Sequence, residues 1–304
     1  MTRPEVVAGV ADADLDGRTV FVTGATHGVG RETALALGRL GARVLVHGRD
    51  RTAGRALANE LRELDADPVF VRADFADPDA PSELAAAVAD RVDELDVLVN
   101  NAGAHFDGPS LAAGVERTFR VNHLSPFELT RELLDDLGPN GRVVTVASAV
   151  HGRATASDLT TDAVTTVDDY DGFQAYARSK LANVLFSREL AARNPDKLVN
   201  SLHPGFVPGS RLWRDASFPV SILMPALGVL PGFVLERIAD TVETAAATSV
   251  YLAAADDYDV TGEYFSNRNP KTPSATARDD DLARELWERT ESLIANPPAV
   301  APDD

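Results

Sequence analysis

Short apolar runs recur along the chain, separated by stretches in which apolar positions return with a helical period. Runs at 19–23, 43–47, 68–72, 97–100, 142–147, 198–202 and 263–265 predict seven strands. Between them, 30–40, 51–64, 81–91, 115–137, 173–193 and 241–254 predict helices, and a last helix at 279–294 presents Leu282, Leu286, Trp287, Thr290 and Leu293 at helical spacing. Strands with few polar interruptions suit a sheet covered on both sides. Strand and helix alternate from Arg18 onward, which predicts an α/β chain: one doubly wound domain over 17–304 with a mostly parallel seven-stranded sheet and helices on both faces. Residues 1–16 read as a loose acidic arm, and no internal repeat interrupts the pattern.

The first strand-to-helix junction is Thr23-Gly24-Ala25-Thr26-His27-Gly28-Val29-Gly30. Glycines at such a junction let the backbone approach a pyrophosphate, and the helix N-terminus offers unpaired N–H groups and partial positive charge. The spacing Gly-x-x-x-Gly-x-Gly differs from the commonest dinucleotide fingerprint, and no Lys-Ser/Thr follows as a P-loop needs. Taken alone, the cluster is also compatible with a merely tight turn.

Ligands of such sheets lie beyond the carboxyl ends of the strands. After the second strand, Arg49, aided by His27, suits a 2′-phosphate and favours NADP(H), whereas Asp50, one residue late for a ribose-binding carboxylate, keeps NAD(H) open. After the third, Asp74 can accept from an adenine amino group with Phe75 beside the ring. After the fourth, Asn100-Asn101-Ala102-Gly103 offers small residues and amides along a ribose. Tyr176 and Lys180 stand four residues apart on one predicted helix face. A phenol near pKa 10 is a poor base at neutral pH, but a neighbouring ammonium favours its phenolate, which can then exchange a proton with an alcohol or carbonyl. Ser148 is placed to hydrogen-bond the same oxygen, and Asn122 to tie the lysine to a water. Each has a plainer reading: an amphipathic edge for the Tyr/Lys pair, a cap for Ser148, a kink for Asn122.

Charge narrows the partners. The formal net charge of −18 argues against a nucleic-acid surface. Aspartate outnumbers glutamate about two to one, and Lys180, Lys197 and Lys271 are the only lysines, a composition that resembles halophilic proteins. Without cysteine there is no disulfide and no thiolate nucleophile, and no metal site is read. The N-terminus lacks the apolar core of a signal segment, so a cytoplasmic location is expected. Residues 218–235 carry no charge, but Pro219, Pro225, Pro231, Gly228 and Gly232 divide them, so an apolar lid over about 206–240 is expected rather than a membrane span, with a membrane-surface contact as the alternative.

The combination Thr23-Gly-x-x-x-Gly-x-Gly, Asp74, Asn100-Asn-Ala-Gly, Asn122, Ser148 and Tyr176-x-x-x-Lys180 resembles the short-chain dehydrogenase/reductase family in order and spacing, over nearly the whole chain after Asp16. The resemblance implies a Rossmann-type fold and an oxidoreductase with a nicotinamide cofactor and a small-molecule carbonyl or alcohol as substrate. It implies Tyr176 as acid/base, Lys180 as its modulator and a ribose ligand, Ser148 orienting the substrate, and Asn122 completing the tetrad. It also implies that Pro204, Gly205 and Val207 form the turn against the nicotinamide carboxamide. Ser179-Lys-Leu-Ala-Asn-Val-Leu-Phe-Ser-Arg-Glu-Leu and Ser201-Leu-His-Pro-Gly resemble the retinol dehydrogenase, WW-domain oxidoreductase and protochlorophyllide reductase branch, which implies NADP(H) and a bulky apolar substrate. The long interval between Ser148 and Tyr176 implies an acidic, Thr-rich loop at 155–172, and the lack of cysteine disfavours the light-driven reaction of that branch. Competing expectations are a non-catalytic nucleotide-binding regulator and an epimerase or dehydratase. Residues 115–137 and 173–193 are also candidates for a four-helix homodimer contact.

Overall fold

Alternation along each strand sends its side chains to opposite faces of the sheet, and the two faces receive different shapes. Val20 and Val22 of β1 (Thr19–Val22), Val44 and Val46 of β2 (Arg43–Gly48), and Val97 and Val99 of β4 (Leu95–Asn100) join one core. Phe21, Leu45 and Leu98, from the same strands, join the other. Both cores exclude water, which is why these strands are apolar throughout.

The computed structural model describes residues 2–207, 240–256 and 258–298. Beyond the strands named, its sheet contains β3 (Val69–Arg72), β7 (Leu137–Val146), β8 (Leu198–His203), β9 (Tyr264–Ser266) and β10 (Asn269–Pro270). The order is β10-β9-β8-β7-β4-β1-β2-β3. All pairs are parallel except β9 with β10, and among the described residues the sheet has eight strands where seven are expected. The added strand comes from a tight reversal at Asn267 and Arg268, both left-handed, too short to leave an alternating pattern. A separate two-stranded ribbon pairs β5 (Leu111–Ala112) with β6 (Val115–Glu116).

One face carries α2 (Gly28–Arg39), α3 (Arg51–Arg62) and α9 (Val242–Ala254); the other carries α4 (Ala80–Ala89), α6 (Ser125–Glu132), α8 (Gly172–Arg193) and α10 (Asp280–Ala295). The stretch expected to be a loose arm instead forms α1 (Pro4–Ala8). Its Glu5 is buried and paired with Arg39 Nε at 2.6 Å, and Ala8 reaches the core beside α2 and α9. An amphipathic turn with one inward carboxylate was enough to anchor it.

The helix expected over 115–137 is broken. Glu116 caps α5 (Arg117–Phe119) by accepting from Thr118 N and Phe119 N at 2.7 and 3.0 Å, so the helix cannot start earlier. A π-helical turn, Arg120–Leu124, follows, and β7 already begins at Leu137. The stretch at 155–172 is partly helical: a 3₁₀ turn at Ala156–Leu159 precedes α7 (Thr161–Thr165).

C-terminal α10 lies across α6 and α8. Trp287 packs 4.6 Å from Phe127 and 6.0 Å from Phe186, Arg193 lies over its ring at 4.5 Å, and Thr290 Oγ1 meets His123 Nε2 at 3.0 Å. The expected lid at 218–235 falls outside the described residues. Among the described residues, no helix is long and apolar enough to cross a membrane.

Candidate active site

Strand order reverses between β1 and β4, and the loops leaving these two strands are stitched together. Thr23 Oγ1 accepts from Asn101 N and Ala102 N, both at 3.0 Å, and donates to Val99 O; Asn101 Nδ2 donates to Thr23 O and Gly24 O. Gly30 packs directly under this amide, so any side chain there would collide with Asn101 and with Gly24 O. Gly28 is different. Its φ is +59° and a methyl placed on it would meet no atom within 4 Å, because that side of the turn faces the cleft.

The cleft measures about 750 Å³, within the range of cofactor sites. Gly24, Thr26, His27, Gly28, Val29 and Gly30 line one end, with Arg49, Asp74 and Phe75 beyond them. Asn101, Ala102 and Gly103 line the middle, and Ser148, Tyr176, Lys180, Pro204, Gly205 and Val207 the other end. Asn122 stands behind the wall, where its amide accepts from Ala104 N at 2.8 Å and donates to Ala104 O and Ser179 Oγ at 2.9 and 3.0 Å.

The helices around the cleft differ at their starts. Asp50 and Asp171 cap α3 and α8 through their side chains, whereas α2 has no side-chain cap from His27 and its first turn lines the cleft. An anion at that turn would meet N–H groups and the positive end of the helix dipole. Asp50 Oδ1 accepts from Thr52 N and Ala53 N at 2.9 and 3.0 Å, which accounts for an acid at this position as a helix cap. Arg49 is exposed at the rim.

At the end lined by Ser148, Tyr176 and Lys180 project from one face of α8, with the ammonium 5.5 Å from the phenol ring centre. Lys180 Nζ donates to Val146 O at 3.0 Å, and the Ser148 hydroxyl hydrogen-bonds the phenol. Burial pulls Lys180 down to about 8. Burial also raises Tyr176 above the ordinary tyrosine range, against the Ser148 hydrogen bond, which favours the phenolate. Burial, opposed by the Ser148 hydrogen bond, therefore keeps the phenol protonated.

His47, His105, Phe173 and His203 also line the cleft, and the sequence reading passed over them. His47 and His203 close strands β2 and β8, the end at which such sheets bind ligands, and Phe173 precedes Tyr176 by three on α8, so position alone marks these three. His105 carries no such signal.

A model of the family described as short chain dehydrogenase matches residues 18–217. The chain is similar to a candidate daunorubicin C-13 ketoreductase from Streptomyces sp. strain C5, with 36% identity over 97% of this chain and 99% of the relative. It is also similar to human retinol dehydrogenase 13, with 34% identity over 93% and 86% of the two chains. Among solved structures, RhlG of Pseudomonas aeruginosa in an NADP active-site complex has 26% identity and a TM-score of 0.63, covering 83% of this chain and 94% of its own.

Proposed function

The chain belongs to the short-chain dehydrogenase/reductase family, and from that membership we propose that it is an NADP(H)-dependent oxidoreductase that interconverts a carbonyl compound and its alcohol, with Tyr176 as the acid/base. The observation that carries this reading is the convergence of Tyr176, Lys180 and Ser148 on the cleft that begins at the glycine turn. When bound, the nicotinamide would donate or accept the hydride.

The open face of Gly28 and the uncapped first turn of α2 fit a pyrophosphate. Asp74 and Phe75 would hold the adenine, Asn101 to Gly103 the riboses, and Pro204, Gly205 and Val207 the carboxamide. Arg49, with His27 across the turn, would take a 2′-phosphate, while capping duty on Asp50 weighs against NAD(H). The NADP in the active-site complex of RhlG supports the same choice.

In the reaction Tyr176 gives its proton to the carbonyl oxygen during reduction and recovers it from the alcohol during oxidation. Ser148 shares that oxygen through a hydrogen bond, and Lys180 offsets charge that develops on the phenol. Asn122 fixes the backbone at Ala104 and so the far wall of the cleft. Phe173, Phe206 and Val207 make the substrate end apolar, which suits a bulky, largely apolar substrate, as the name of retinol dehydrogenase 13 also suggests.

Fluorescence titration with NADPH and NADH, followed by a carbonyl screen in molar salt, tests the proposal. NADPH is expected to bind more tightly, and Arg49→Ala to remove most of that preference. Tyr176→Phe should bind NADPH normally yet lose about 10²–10⁴-fold in turnover; undiminished turnover refutes Tyr176 as the base.

A further inference from the structure

His105 and Asp107 belong to a strap, residues 104–107, of which Ala104 and His105 line the cleft and His105 faces Tyr176. Each neighbouring residue of the strap is fastened from outside. Asn122 grips both backbone polar groups of Ala104. Tyr170 Oη donates to Phe106 O at 2.7 Å, and the Arg117 guanidinium lies 4.4 Å over the Phe106 ring. Gly172, at the start of α8, lies so close that an added methyl would come within 2.7 Å of Phe106 O and 3.0 Å of the Asp107 backbone. The strap is thus fixed to the same helix that carries Tyr176.

On this support the His105 ring is 4% exposed, with Nε2 2.5 Å from Asp107 Oδ1. The ring meets Tyr176 nearly edge-on, with centroids 5.7 Å apart and planes at 80°. Edge-to-face aromatic contacts hold a preferred geometry, and the carboxylate prevents the imidazole from turning away. A phenol flanked on this side by a braced ring cannot swing freely, so its hydroxyl stays directed at Ser148.

We infer that His105, braced by Asp107, is the positioning residue for the Tyr176 phenol. It acts through Tyr176 and not on the substrate. The inference rests on reading Tyr176 as the acid/base, so its test includes an arm independent of turnover. The chain has five tyrosines, which makes ring-labelled tyrosine NMR practicable, and Tyr176→Phe identifies the Tyr176 signals. His105→Leu fills the volume without an aromatic edge and is expected to displace those signals, whereas His105→Phe should leave them close to their wild-type positions.

In kinetics, His105→Leu should lower kcat about tenfold to a hundredfold with NADPH affinity unchanged, and His105→Phe should recover most of the loss. Unmoved Tyr176 signals in His105→Leu overturn the inference. So does a kcat loss shared equally by Leu and Phe, since the imidazole would then act by its own chemistry. If His105→Leu does not fold, Asp107→Asn carries the same NMR test, and unchanged Tyr176 signals again overturn it. A wild-type chain that turns over no carbonyl compound would sink the functional reading instead, leaving the NMR arm to decide this one.

Discussion

Beneath the glycine turn, His47 accepts from Gly24 N through Nδ1 and so donates from Nε2 to Ala73 O, an arrangement open only to the neutral ring. Burial pulls this histidine down to about 4, and Phe75 stacks on it at 4.5 Å. Between pH 6.5 and 4 the unfolded chain binds a proton that the folded chain refuses, so stability falls as pH falls, by about 3 kcal/mol for this residue. His123, pulled down to about 3 by burial, adds loss of the same sign. Thermal melts at pH 7 and 4.5 should show a smaller drop for His47→Gln than for the wild type, and equal drops would remove His47 from the account. At this scale, residues belonging to motifs were legible because several had to agree in order and spacing. His105 was not, because a lone histidine outside any strand end or helix face does not reveal whether its ring faces a cleft or a core.

Among the elements, α8 and the stretch at 155–172 are joined by a buried cluster that local pattern does not announce. Glu116, fully buried, pairs with Arg178 Nη2 at 3.1 Å, approaches Tyr170 Oη at 3.1 Å and caps α5, while Arg178 also donates to Ala163 O. Glu116→Ala would leave a guanidinium buried without its counter-charge and is expected to cost about 3–5 kcal/mol in denaturant unfolding. Tyr170→Phe, which gives up a hydrogen bond to Phe106 O and one to the Glu116 carboxylate but leaves the ion pair in place, should cost about 1–2 kcal/mol; a loss as large as that for Glu116→Ala would put the weight of the cluster on the phenol. The parallel strands were legible because each is apolar on both faces. The break in the helix expected over 115–137 was hidden because Val115, Phe119 and Phe127 keep helical spacing across it, and the Glu116 cap becomes visible only with tertiary contacts.

For the whole molecule, α10 takes the outer face of α6 and α8 that a four-helix contact between two copies would need. We propose on that ground that the chain does not pair through this face, and that its charge of −18 adapts it to concentrated salt. Light scattering from low to molar KCl should give a monomer mass throughout, with the melting temperature rising as salt screens the carboxylates. A dimer that persists after Trp287→Ala would not use this face, one that appears only then would confirm what α10 covers, and full stability in dilute buffer would count against the adaptation. The doubly wound plan was readable from alternating periods. The apolar stripe of 279–294 made it readable that the last helix packs on the body, but not its seat on α6 and α8, nor the docking of α1, since each joins elements far apart in sequence.

The π turn at Arg120–Leu124 has one further consequence. It accommodates one residue more than an α-helix would, and each helical residue advances the azimuth by about 100°. Asn122 therefore reaches Ala104 while the adjacent His123 points among Phe119, Phe127 and Phe186. Shortening this turn by a single codon would rotate one set of partners out of reach whichever amino acid were removed, so the segment should forgive many replacements yet tolerate no change of length.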